Sequence, residues 1–335
     1  MNYNSFDNPG LAKVLTFLQT HNTEYLSGQD LSDVLRISRV AVWKHIKKIQ
    51  ELGYIVESKQ KLGYKLISNS DELLPWEITS NLKTKIIGRQ AYYFDTIDST
   101  QNQALKMADD ETNNGSVIVA SKQTGGRGRS GREWVSPKGG IWISIILQPK
   151  FDISITTLFP IASALALSIS IEKIFSISPE LKWPNDLTIK GKKVAGMLVD
   201  VALESNKIEY LVLGVGINFN VNVKEIEKTL KGTPNFYGVA SLTDQKNEIK
   251  PIKLVQTFLV ELERIYKLLE TKQTKKIISE WTSRSSTIGK NVELNTVDAK
   301  IKGKAMRIDE DGALVVSEKG KNNRIIAGDI IHVSK

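Results

Sequence analysis

One segment, KQTGGRGRSGREW at residues 122–134, most constrains how this chain can fold. It contains four glycines and three arginines and ends in a tryptophan. Residues 122–138 hold five cations against one anion, Glu133, which gives a local charge of +4. A packed core cannot bury such a charge without partners, so the segment must be a loop at the surface. Because arginine pairs with carboxylate and phosphate oxygens through a planar fork, the loop predicts an anionic ligand.

The glycines of this loop follow the pattern G-x-G-x-x-G at Gly126, Gly128 and Gly131, which is typical of a dinucleotide-binding turn. That turn needs a helix directly after the glycines. This chain instead continues as REWVSPKGG, and the proline and glycines of this stretch prevent a helix. The dinucleotide interpretation therefore fails. The glycines instead allow backbone N–H groups to approach an anion. Trp134 fits two interpretations equally, stacking on an adenine or packing in the core.

The N-terminal stretch of residues 27–54, SGQDLSDVLRISRVAVWKHIKKIQELGY, predicts a helix-turn-helix. Ser27 and Ser38 stand at the N-cap positions of two short helices, and Gly53 stands where the second helix ends. The apolar residues expected to face inward are Leu31, Val34 and Leu35 in the first helix and Val42, Ile46, Ile49 and Leu52 in the second. A hairpin predicted over residues 54–67 adds the wing of a winged helix-turn-helix.

The second of these helices is the candidate DNA-recognition helix. Its expected DNA-binding residues are Ser38, Arg39, Val40, Trp43, Lys44 and Lys47. The charge of the whole chain, +9, favours an anionic partner, although residues 1–70, with nine Lys/Arg and six Asp/Glu, contribute only +3. A small helical domain with a solvated cationic face is the alternative interpretation.

Three domains are expected along the chain, over residues 1–68, 76–285 and 286–335, with the polar stretch SNSDELLP as the first linker. The central domain alternates helices and apolar strands irregularly, which predicts an α+β fold with a mixed sheet. The last fifty residues consist of short β-prone runs separated by turns rich in Gly, Asp and Lys. They predict a small SH3-like β-barrel.

Composition excludes several classes of protein. The chain has no cysteine, so disulfides and thiolate chemistry are absent, and its three histidines lie far apart. The longest apolar run, around residues 158–171, is too short to span a bilayer. The N-terminus lacks the plan of a signal peptide. We therefore expect a cytoplasmic protein without a membrane partner.

Two short motifs flank the arginine loop in the sequence. DSTQNQAL at residues 98–105 predicts a capped helix start, where Ser99, Thr100 and backbone amides can bind a small polar group. KWPND at residues 182–186 predicts a β-turn and places Asp186 at its end.

Two more motifs combine glycines with predicted strands. GKKVAGMLVD at residues 191–200 has Lys193 at the mouth of a strand and Gly196 inside it. A glycine inside a strand often marks the close approach of a ligand or of another backbone. GVGINFN at residues 214–220 repeats this arrangement and adds Asn218.

Together these motifs resemble those of the bifunctional biotin–protein ligases that are also biotin operon repressors. DST, GRGRSGREW, KWPND, KVAGMLVD and GVGIN occur in that family's order, and the resemblance runs nearly end to end. It implies a cytoplasmic, ATP-dependent biotin–[acetyl-CoA-carboxylase] ligase that forms biotinyl-5′-AMP and transfers biotin to a lysine of the biotin carboxyl carrier protein. It also implies a repressor of biotin synthesis that binds operator DNA as a homodimer when biotinyl-AMP is bound.

The resemblance also implies roles for residues of this chain. Biotin binding is implied for Ser99, Thr100, Gln101, Gln123, Arg127, Gly128, Arg129, Lys193 and Gly196. Nucleotide binding is implied for Arg129, Arg132, Trp134 and Asn218, and catalysis for Lys193, Arg129 and Arg127. Asp186 is a candidate for metal or ligand support. Two positions depart from the family: Gln101 stands where Asn is common, and Asp200 stands where many members have Glu.

The chemistry of this reaction agrees with these residues. Attack of a carboxylate on an α-phosphate brings two anions together, so the site must supply fixed positive charge, aided by Mg²⁺. Arg127, Arg129, Arg132 and Lys193 are the candidates for that charge. Two alternatives stay open: a ligand-sensing repressor with an inactive ligase domain, and a lipoate-type ligase of the same architecture.

Overall fold

The structure, a computed structural model, describes residues 2–4, 9–233, 236–243, 249–295, 300–326 and 328–332. In chain order, its helices are α1 (Pro9–Thr20), α2 (Gly28–Leu35), α3 (Arg39–Glu51), α4 (Pro75–Thr79), α5 (Thr100–Met107), α6 (Phe159–Phe175), α7 (Val223–Leu230), α8 (Pro251–Glu270) and α9 (Thr274–Ser283). Within this described part of the chain, no helix combines the length and the apolar character needed to cross a bilayer.

The described residues also form fifteen strands. They are β1 (Asn2–Asn4), β2 (Ile55–Lys59), β3 (Gly63–Ser68), β4 (Ala91–Ile97), β5 (Val117–Gln123), β6 (Ile141–Leu147), β7 (Glu180–Lys182), β8 (Asp186–Ile189), β9 (Lys192–Glu204), β10 (Lys207–Ile217), β11 (Asn291–Asn295), β12 (Lys300–Ile308), β13 (Leu314–Glu318), β14 (Lys321–Ile325) and β15 (Asp329–His332).

Helices α1 to α3 and the antiparallel hairpin β2–β3 form the N-terminal part, called the head, and confirm the predicted winged helix-turn-helix. The Ser27 hydroxyl accepts a hydrogen bond from the N–H of Asp30 at 3.0 Å, which caps α2. The Ser38 hydroxyl accepts one from the N–H of Ala41 at 3.2 Å, which caps α3. Gly53 follows α3 with a φ of +87°, so the chain leaves the helix through a left-handed residue, as predicted.

The head has a small apolar core, which α3 enters through Val42, Ile46 and Ile49. The prediction that Val34 faces inward was wrong, because 57% of this residue is exposed. Val34 lies about 60° around the helix axis from Leu31, which places it at the edge of the face that Leu31 buries. Only the side of α2 that carries Leu31 meets the rest of the head, since Leu31 is its buried residue.

The segment between the head and the rest of the chain is packed, although its sequence predicted a polar linker. Leu73 and Leu74 are buried, and Leu74 is part of the same apolar cluster as the core of the head. The Ser70 hydroxyl donates a hydrogen bond to the carbonyl of Leu52 at 2.6 Å. Two adjacent leucines therefore hold this connection in place.

Side chains of both parts meet at this connection. Tyr93 of β4 is buried in the apolar cluster of the head. Tyr54 of the head donates a hydrogen bond to Glu77 of α4, and the indole N–H of Trp76 donates to the Tyr54 hydroxyl at 2.9 Å. The head is therefore fixed to the remainder of the molecule, called the body, by both apolar and polar contacts.

The body contains a central sheet of eight described strands in the order β1-β4-β5-β6-β10-β9-β8-β7. Strands β4 and β5 are parallel and the other neighbours are antiparallel, which confirms the predicted mixed sheet and α+β class. Ala104 and Ala108, at the end of α5, pack on one face with Ile118, Ile146 and Val212. Helices α6 and α8 pack on the other face.

Strand β10 has unlike residues on its two faces because successive residues of a strand point in opposite directions. Leu211, Leu213 and Val215 belong to the core with α6 and α8. Gly214 and Gly216 lie on the opposite face, where Gly216 pairs with Gly196 of β9. Since these glycines contribute no side chains, they leave a hollow on the face that carries α5.

The C-terminal residues form an antiparallel sheet in the order β14-β13-β12-β11-β15. Its five strands confirm the predicted short β-prone runs, while the closure of the sheet into a barrel stays a prediction. Val292, Leu294 and Leu314 belong to the main core of the body. The buried indole of Trp183 donates a hydrogen bond to the carbonyl of Gly312 at 3.0 Å. The C-terminal sheet therefore packs directly against the region that contains the KWPND turn.

Candidate active site and DNA-facing helix

A cavity of about 330 Å³ occupies the hollow on the α5 face of the sheet. Of the sequence-predicted ligand residues, it is lined by Ser99, Thr100, Gln101, Gln123, Arg127, Gly128, Arg129, Arg132, Trp134, Lys193 and Gly196, and Asp186 joins them. Asn218 does not line it. Its backbone N–H donates to the carbonyl of Val194 at 2.8 Å and its amide to the carbonyl of Lys193 at 3.3 Å, so it supports the wall from behind.

One end of the cavity carries uncharged hydrogen-bonding groups at the start of α5. The backbone N–H and the hydroxyl of Thr100 both donate to the Gln123 side-chain oxygen, at 2.7 and 3.0 Å. The Gln123 amide in turn donates to the Ser136 hydroxyl at 2.8 Å. Ser99 caps α5 by accepting from the N–H of Asn102 at 3.4 Å. These bonds fix the donors and acceptors of this end before any ligand contact.

A second set of hydrogen bonds runs from this end beneath the cavity. The buried Ser144 hydroxyl lies 2.9 Å from both the Thr100 hydroxyl and the Gln101 side-chain oxygen. The Gln101 amide donates to Asp200 at 3.1 Å, and Arg127 pairs with the same carboxylate oxygen at 3.3 Å. Asp200 therefore has a clear place in the structure, as the partner that holds Arg127.

The arginine loop is a hydrogen-bonded hairpin that closes the opposite side. Trp134 N–H donates to Gly126 O at 2.9 Å, and Gly128 N–H donates to Arg132 O at 2.7 Å. The Arg129 guanidinium donates to the Asn185 side-chain oxygen at 3.2 Å. Asn185 belongs to the KWPND turn, so this contact joins the loop to the far wall of the cavity.

Trp134 lies flat against the glycine face of the sheet. A Cβ atom on Gly216 would lie 2.5 Å from its ring, and one on Gly196 would lie 3.1 Å from it. The ammonium of Lys193 lies 4.9 Å from the ring centroid, within range of a cation–π contact. Among the described residues, the buried indole N–H of Trp134 has no hydrogen-bond acceptor. Trp134 thus packs on the sheet and also lines the cavity, while its stacking on an adenine stays a prediction.

Lys193 is held in an ion pair at the cationic end of the cavity. Its ammonium lies 2.6 Å from one oxygen of Asp186, and the hydroxyl of Tyr237 donates to the other oxygen at 2.7 Å. Burial raises the pKa of Tyr237 above its ordinary value, and the neighbouring charge of Asp186 raises it further. The phenol is therefore a neutral hydrogen-bond donor at every physiological pH.

The DNA-facing surface of the head has a different character. All six predicted residues, Ser38, Arg39, Val40, Trp43, Lys44 and Lys47, are exposed. Val40 and Trp43 are 63% and 51% exposed, although both are large and apolar. Residues three and four apart on a helix share a face, so Val40, Trp43, Lys44 and Lys47 form one stripe opposite the buried residues of α3.

Comparison with known proteins places these two sites in one family. The sequence matches an HTH domain over residues 11–65, the Biotin/lipoate A/B protein ligase family over residues 93–218, and the Biotin protein ligase C terminal domain over residues 287–333. Each match lies within one of the three predicted domains, whose boundaries stay predictions. The Bifunctional ligase/repressor BirA of Bacillus subtilis (strain 168) is 35% identical over 316 residues, which cover 94% of this chain and 95% of that protein. The chain belongs to the bifunctional ligase/repressor family.

Other members and a solved structure extend this assignment, which confirms the predicted resemblance. The BirA of Escherichia coli (strain K12) is 28% identical over 329 residues, covering 97% of each chain. The structure of the biotin protein ligase from Aquifex aeolicus in complex with biotin and ATP is 27% identical and superposes with a TM-score of 0.61. It covers 72% of this chain and 97% of its own.

Sequence reasoning missed several residues of the ligase cavity. Ser144 could have been found, because it is a polar residue inside IWISIIL, a strand that is buried throughout. Asn185 was noted only as part of a turn, yet it binds Arg129. Tyr237 gave no local signal, since it follows a proline-containing stretch without periodicity and meets Asp186 from 51 residues away.

Proposed function

We propose that this chain joins biotin to ATP to form biotinyl-5′-AMP and then transfers the biotinyl group to a lysine of a biotin carboxyl carrier protein. The observation that carries the proposal is the cavity, where uncharged hydrogen-bonding groups at one end meet cations at the other. The uncharged end suits the ureido ring of biotin, and the cationic end suits its carboxylate beside the phosphates of ATP. Membership of the ligase/repressor family supports the same activity.

In the first proposed step, a carboxylate oxygen of biotin attacks the α-phosphorus of ATP, a new O–P bond forms, and pyrophosphate leaves. Both reactants are anions, so cations fixed in place before the reaction lower the barrier. Lys193, Arg127 and Arg129 are proposed to supply this charge. Their side chains are held by Asp186, Asp200 and Asn185, which supports the proposal because little reorganisation is then needed.

The remaining ligand contacts are proposed by position. Biotin is assigned to Ser99, Thr100, Gln101, Gln123, Arg127, Gly128, Arg129, Lys193 and Gly196, and the nucleotide to Arg129, Arg132, Trp134 and Asn218. For Asn218 the contact is indirect, through the backbone of Lys193. The unpaired indole N–H of Trp134 supports the nucleotide assignment, because a buried donor without an acceptor suits a ligand with acceptor atoms.

In the second proposed step, the amine of the acceptor lysine attacks the acyl carbon of biotinyl-AMP. An amide bond forms, the bond from the acyl carbon to the phosphate oxygen breaks, and AMP leaves. The mixed anhydride is prone to hydrolysis, so a cover that excludes water preserves it. The contact of Arg129 with Asn185 supports such a role for the arginine loop, because it draws the loop across the cavity.

Mg²⁺ is expected to enter together with ATP as part of that substrate. Among the described residues, no group of three or more His, Asp or Glu side chains is arranged to hold a metal. The two oxygens of Asp186, the predicted candidate, already contact Lys193 and Tyr237. A Mg²⁺ held mainly by phosphates and water needs only one or two carboxylates from the protein, so Asp186 stays a candidate for that supporting contact.

The second proposed activity is repression of biotin synthesis through operator DNA. The exposed stripe on α3 supports it, because a recognition helix enters the major groove with its outward residues. The described residues of each chain form one such helix, which would read a half-site, so a homodimer is the proposed DNA-binding form. We propose that biotinyl-AMP favours the dimer, and the coupling between ligand and DNA is then reciprocal. Because both activities need ligands that occur in the cytoplasm, ATP and operator DNA, we propose that compartment for them.

The ligase proposal is tested by incubating the protein with biotin, ATP, Mg²⁺ and an acceptor domain, and measuring acceptor mass. One biotin per acceptor is expected, dependent on ATP, together with AMP and pyrophosphate. Lipoate offered in competition should not be attached. Absence of transfer combined with biotin-dependent DNA binding would favour the sensor alternative, and preferential attachment of lipoate would favour a lipoate-type ligase.

The repressor proposal is tested by sedimentation and by DNA titration, each with and without biotin and ATP. Ligands should raise both the dimer fraction and the affinity for a palindromic operator. If neither quantity changes, the ligand-controlled switch is wrong, and the head is a DNA-binding domain without regulation by the body.

A further inference from the structure

Residues 236–240, called the cover segment, lie beside Lys193, and residues 236–239 line the cavity. This segment is bonded to the backbone of Lys193 on both sides: the Lys193 N–H donates to the carbonyl of Gly238 at 3.0 Å, and the N–H of Ala240 donates to the carbonyl of Lys193 at 2.9 Å. Gly238 has a φ of +93°, a conformation that favours glycine. The backbone of the cover segment and that of the proposed catalytic lysine are therefore one hydrogen-bonded unit.

The side chains repeat this connection through Asp186. Its two oxygens have separate partners, Lys193 at 2.6 Å and the hydroxyl of Tyr237 at 2.7 Å. The Asp186 side chain is only 15% exposed, so water competes weakly for these oxygens. Lys182 lies with its ammonium 3.3 Å from the centroid of the Tyr237 ring, which fixes the ring from the other side.

We infer that Tyr237 is a positioning residue for Lys193. By donating a hydrogen bond to one oxygen of Asp186, Tyr237 fixes the plane of the carboxylate. The second oxygen of Asp186 then holds the Lys193 ammonium at the place where it contacts the ligand anion. The cover segment thereby contributes to the placement of the catalytic charge as well as to the shape of the cavity. This inference rests on the proposed adenylation reaction and adds to it a residue that sequence reasoning did not find.

The direct test is the Tyr237→Phe variant, which keeps the ring and its contact with Lys182 and removes only the hydroxyl. A hydrogen bond to a charged group contributes enough that its loss should lower kcat for biotinyl-AMP formation by about ten-fold to a hundred-fold. KM for biotin should rise much less than kcat falls, since the uncharged end of the cavity is untouched while Lys193 meets only the biotin carboxylate. Tyr210→Phe, which removes a tyrosine hydroxyl outside the cavity, serves as the matched control and should behave as wild type.

A double-mutant cycle separates positioning from a general structural role. In the Lys193→Ala background there is no ammonium to position, so adding Tyr237→Phe should cause no further loss of kcat. Independent, multiplying losses would overturn the inference, because they would show that Tyr237 acts without Lys193.

A readout without catalysis distinguishes failure of this inference from failure of the proposed function. Acetic anhydride labelling followed by mass spectrometry reports the reactivity of each lysine amine. In Tyr237→Phe, the reactivity of Lys193 should rise while that of its exposed neighbour Lys192 stays constant. Unchanged Lys193 reactivity would overturn the positioning role, whereas raised reactivity in a protein that makes no biotinyl-AMP would keep it and reject the ligase activity.

Discussion

On α3 the cations Arg39, Lys44 and Lys47 project from a single helix, whereas in the cavity Lys193 and Arg127 come from segments far apart in the chain. Within the described part of the molecule, none of these three cations forms an ion pair, whereas Lys48 of the same helix pairs with Glu51 at 3.0 Å. In the cavity, Lys193 pairs with Asp186 and Arg127 pairs with Asp200. Arg39, Lys44 and Lys47 thus present their charge to solvent, whereas the two cavity cations are held against carboxylates.

This difference matches two kinds of anion. Duplex DNA carries many regularly spaced phosphates, and exposed mobile cations bind them by displacing counterions. A carboxylate that attacks a phosphate needs charge at fixed positions before the reaction begins. If this interpretation is right, single substitutions should have large effects in the cavity and small, salt-dependent effects on α3.

The largest effect is expected for Lys193→Ala. Loss of a preorganised cation at the reacting phosphate should lower the rate of biotinyl-AMP formation by about 10²–10³, or about 3–4 kcal/mol. Pyrophosphate release measures this rate, and circular dichroism checks that the fold is retained. Lys192→Ala removes an adjacent exposed cation as the control. A Lys193→Ala enzyme with wild-type turnover would remove this residue from the mechanism.

A smaller effect of a different kind is expected for Arg129→Gly. This change removes the bond to Asn185 that joins the loop to the far wall, and a bond to a charged group contributes about 1.5–3 kcal/mol. Biotinyl-AMP should therefore leave the cavity faster and modify lysines of bystander proteins. Biotinylation of serum albumin added to the assay measures the escape. Lys122→Ala, at an exposed position of β5, should show none, and labelling confined to the acceptor would contradict a covering role for Arg129.

The stability of the body should also depend on a buried carboxylate, that of Glu263, whose hydrogen-bond donors are fixed in place. Burial alone would raise the pKa of Glu263, but hydrogen bonds from the N–H groups of Lys85, Ile86 and Ile87 outweigh it and lower this pKa. A lowered pKa means that the ionised carboxylate stabilises the fold at pH values above the ordinary pKa of glutamate. That contribution is lost as the pH falls through the lowered value.

Glu263→Gln should therefore lower the free energy of unfolding by about 1–3 kcal/mol at neutral pH. Between neutral and acid pH, the difference from wild type should shrink as the pH falls through the lowered pKa of Glu263, because the wild-type carboxyl then also becomes neutral. Urea denaturation at both pH values measures it. Glu270→Gln, at an exposed position of the same helix, is the control. A difference that stays constant with pH would show that the charge of Glu263 is unimportant.

The smallest effect is expected for Lys44→Ala on the head. It should weaken binding to all DNA sequences alike and reduce the salt slope of log affinity by about 1, as expected for one lost phosphate contact. Trp43→Ala offers the contrast. Because an exposed apolar side chain on a recognition helix is suited to contact base edges, its loss should change the sequence preference of binding. Fluorescence titrations with specific and random duplexes at several salt concentrations separate the two. Sequence-dependent loss in Lys44→Ala would contradict the comparison.

Local patterns in the sequence were sufficient for the head. The caps at Ser27 and Ser38 and the buried period of α3 depend on residues within one or two turns of each other, so they are visible in a short window. Val34 was misplaced because periodicity alone does not show which side of a short helix meets a neighbour. The six exposed residues of the DNA-facing surface follow from the position of the buried ones.

The motifs predicted many of the residues that line the cavity, but they missed Ser144, Asn185 and Tyr237 and did not give the contacts. The motifs identified which residues meet, whereas the pairing of Arg127 with Asp200 joins residues 73 positions apart and depends on the sheet. Strand β4 was missed because AYYFDTI does not alternate clearly between apolar and polar residues. Asn218 was expected at the nucleotide, yet its side chain reaches the backbone of Lys193. Such directions are set by tertiary packing, which no local pattern contains.

Leu74 and Tyr93 complete the core of the head and so bury the connection between head and body. This connection limits the spacing of the operator half-sites that a dimer can bind. With each recognition helix rigidly mounted, the separation of the two helices in a dimer becomes a property of how the bodies meet. In the proposed dimer, the number of base pairs between the operator half-sites then reports that separation. Promoters controlled by this chain should tolerate changes in the sequence of the spacer much better than changes in its length. Adding or removing half a helical turn would carry one half-site to the opposite face of the duplex.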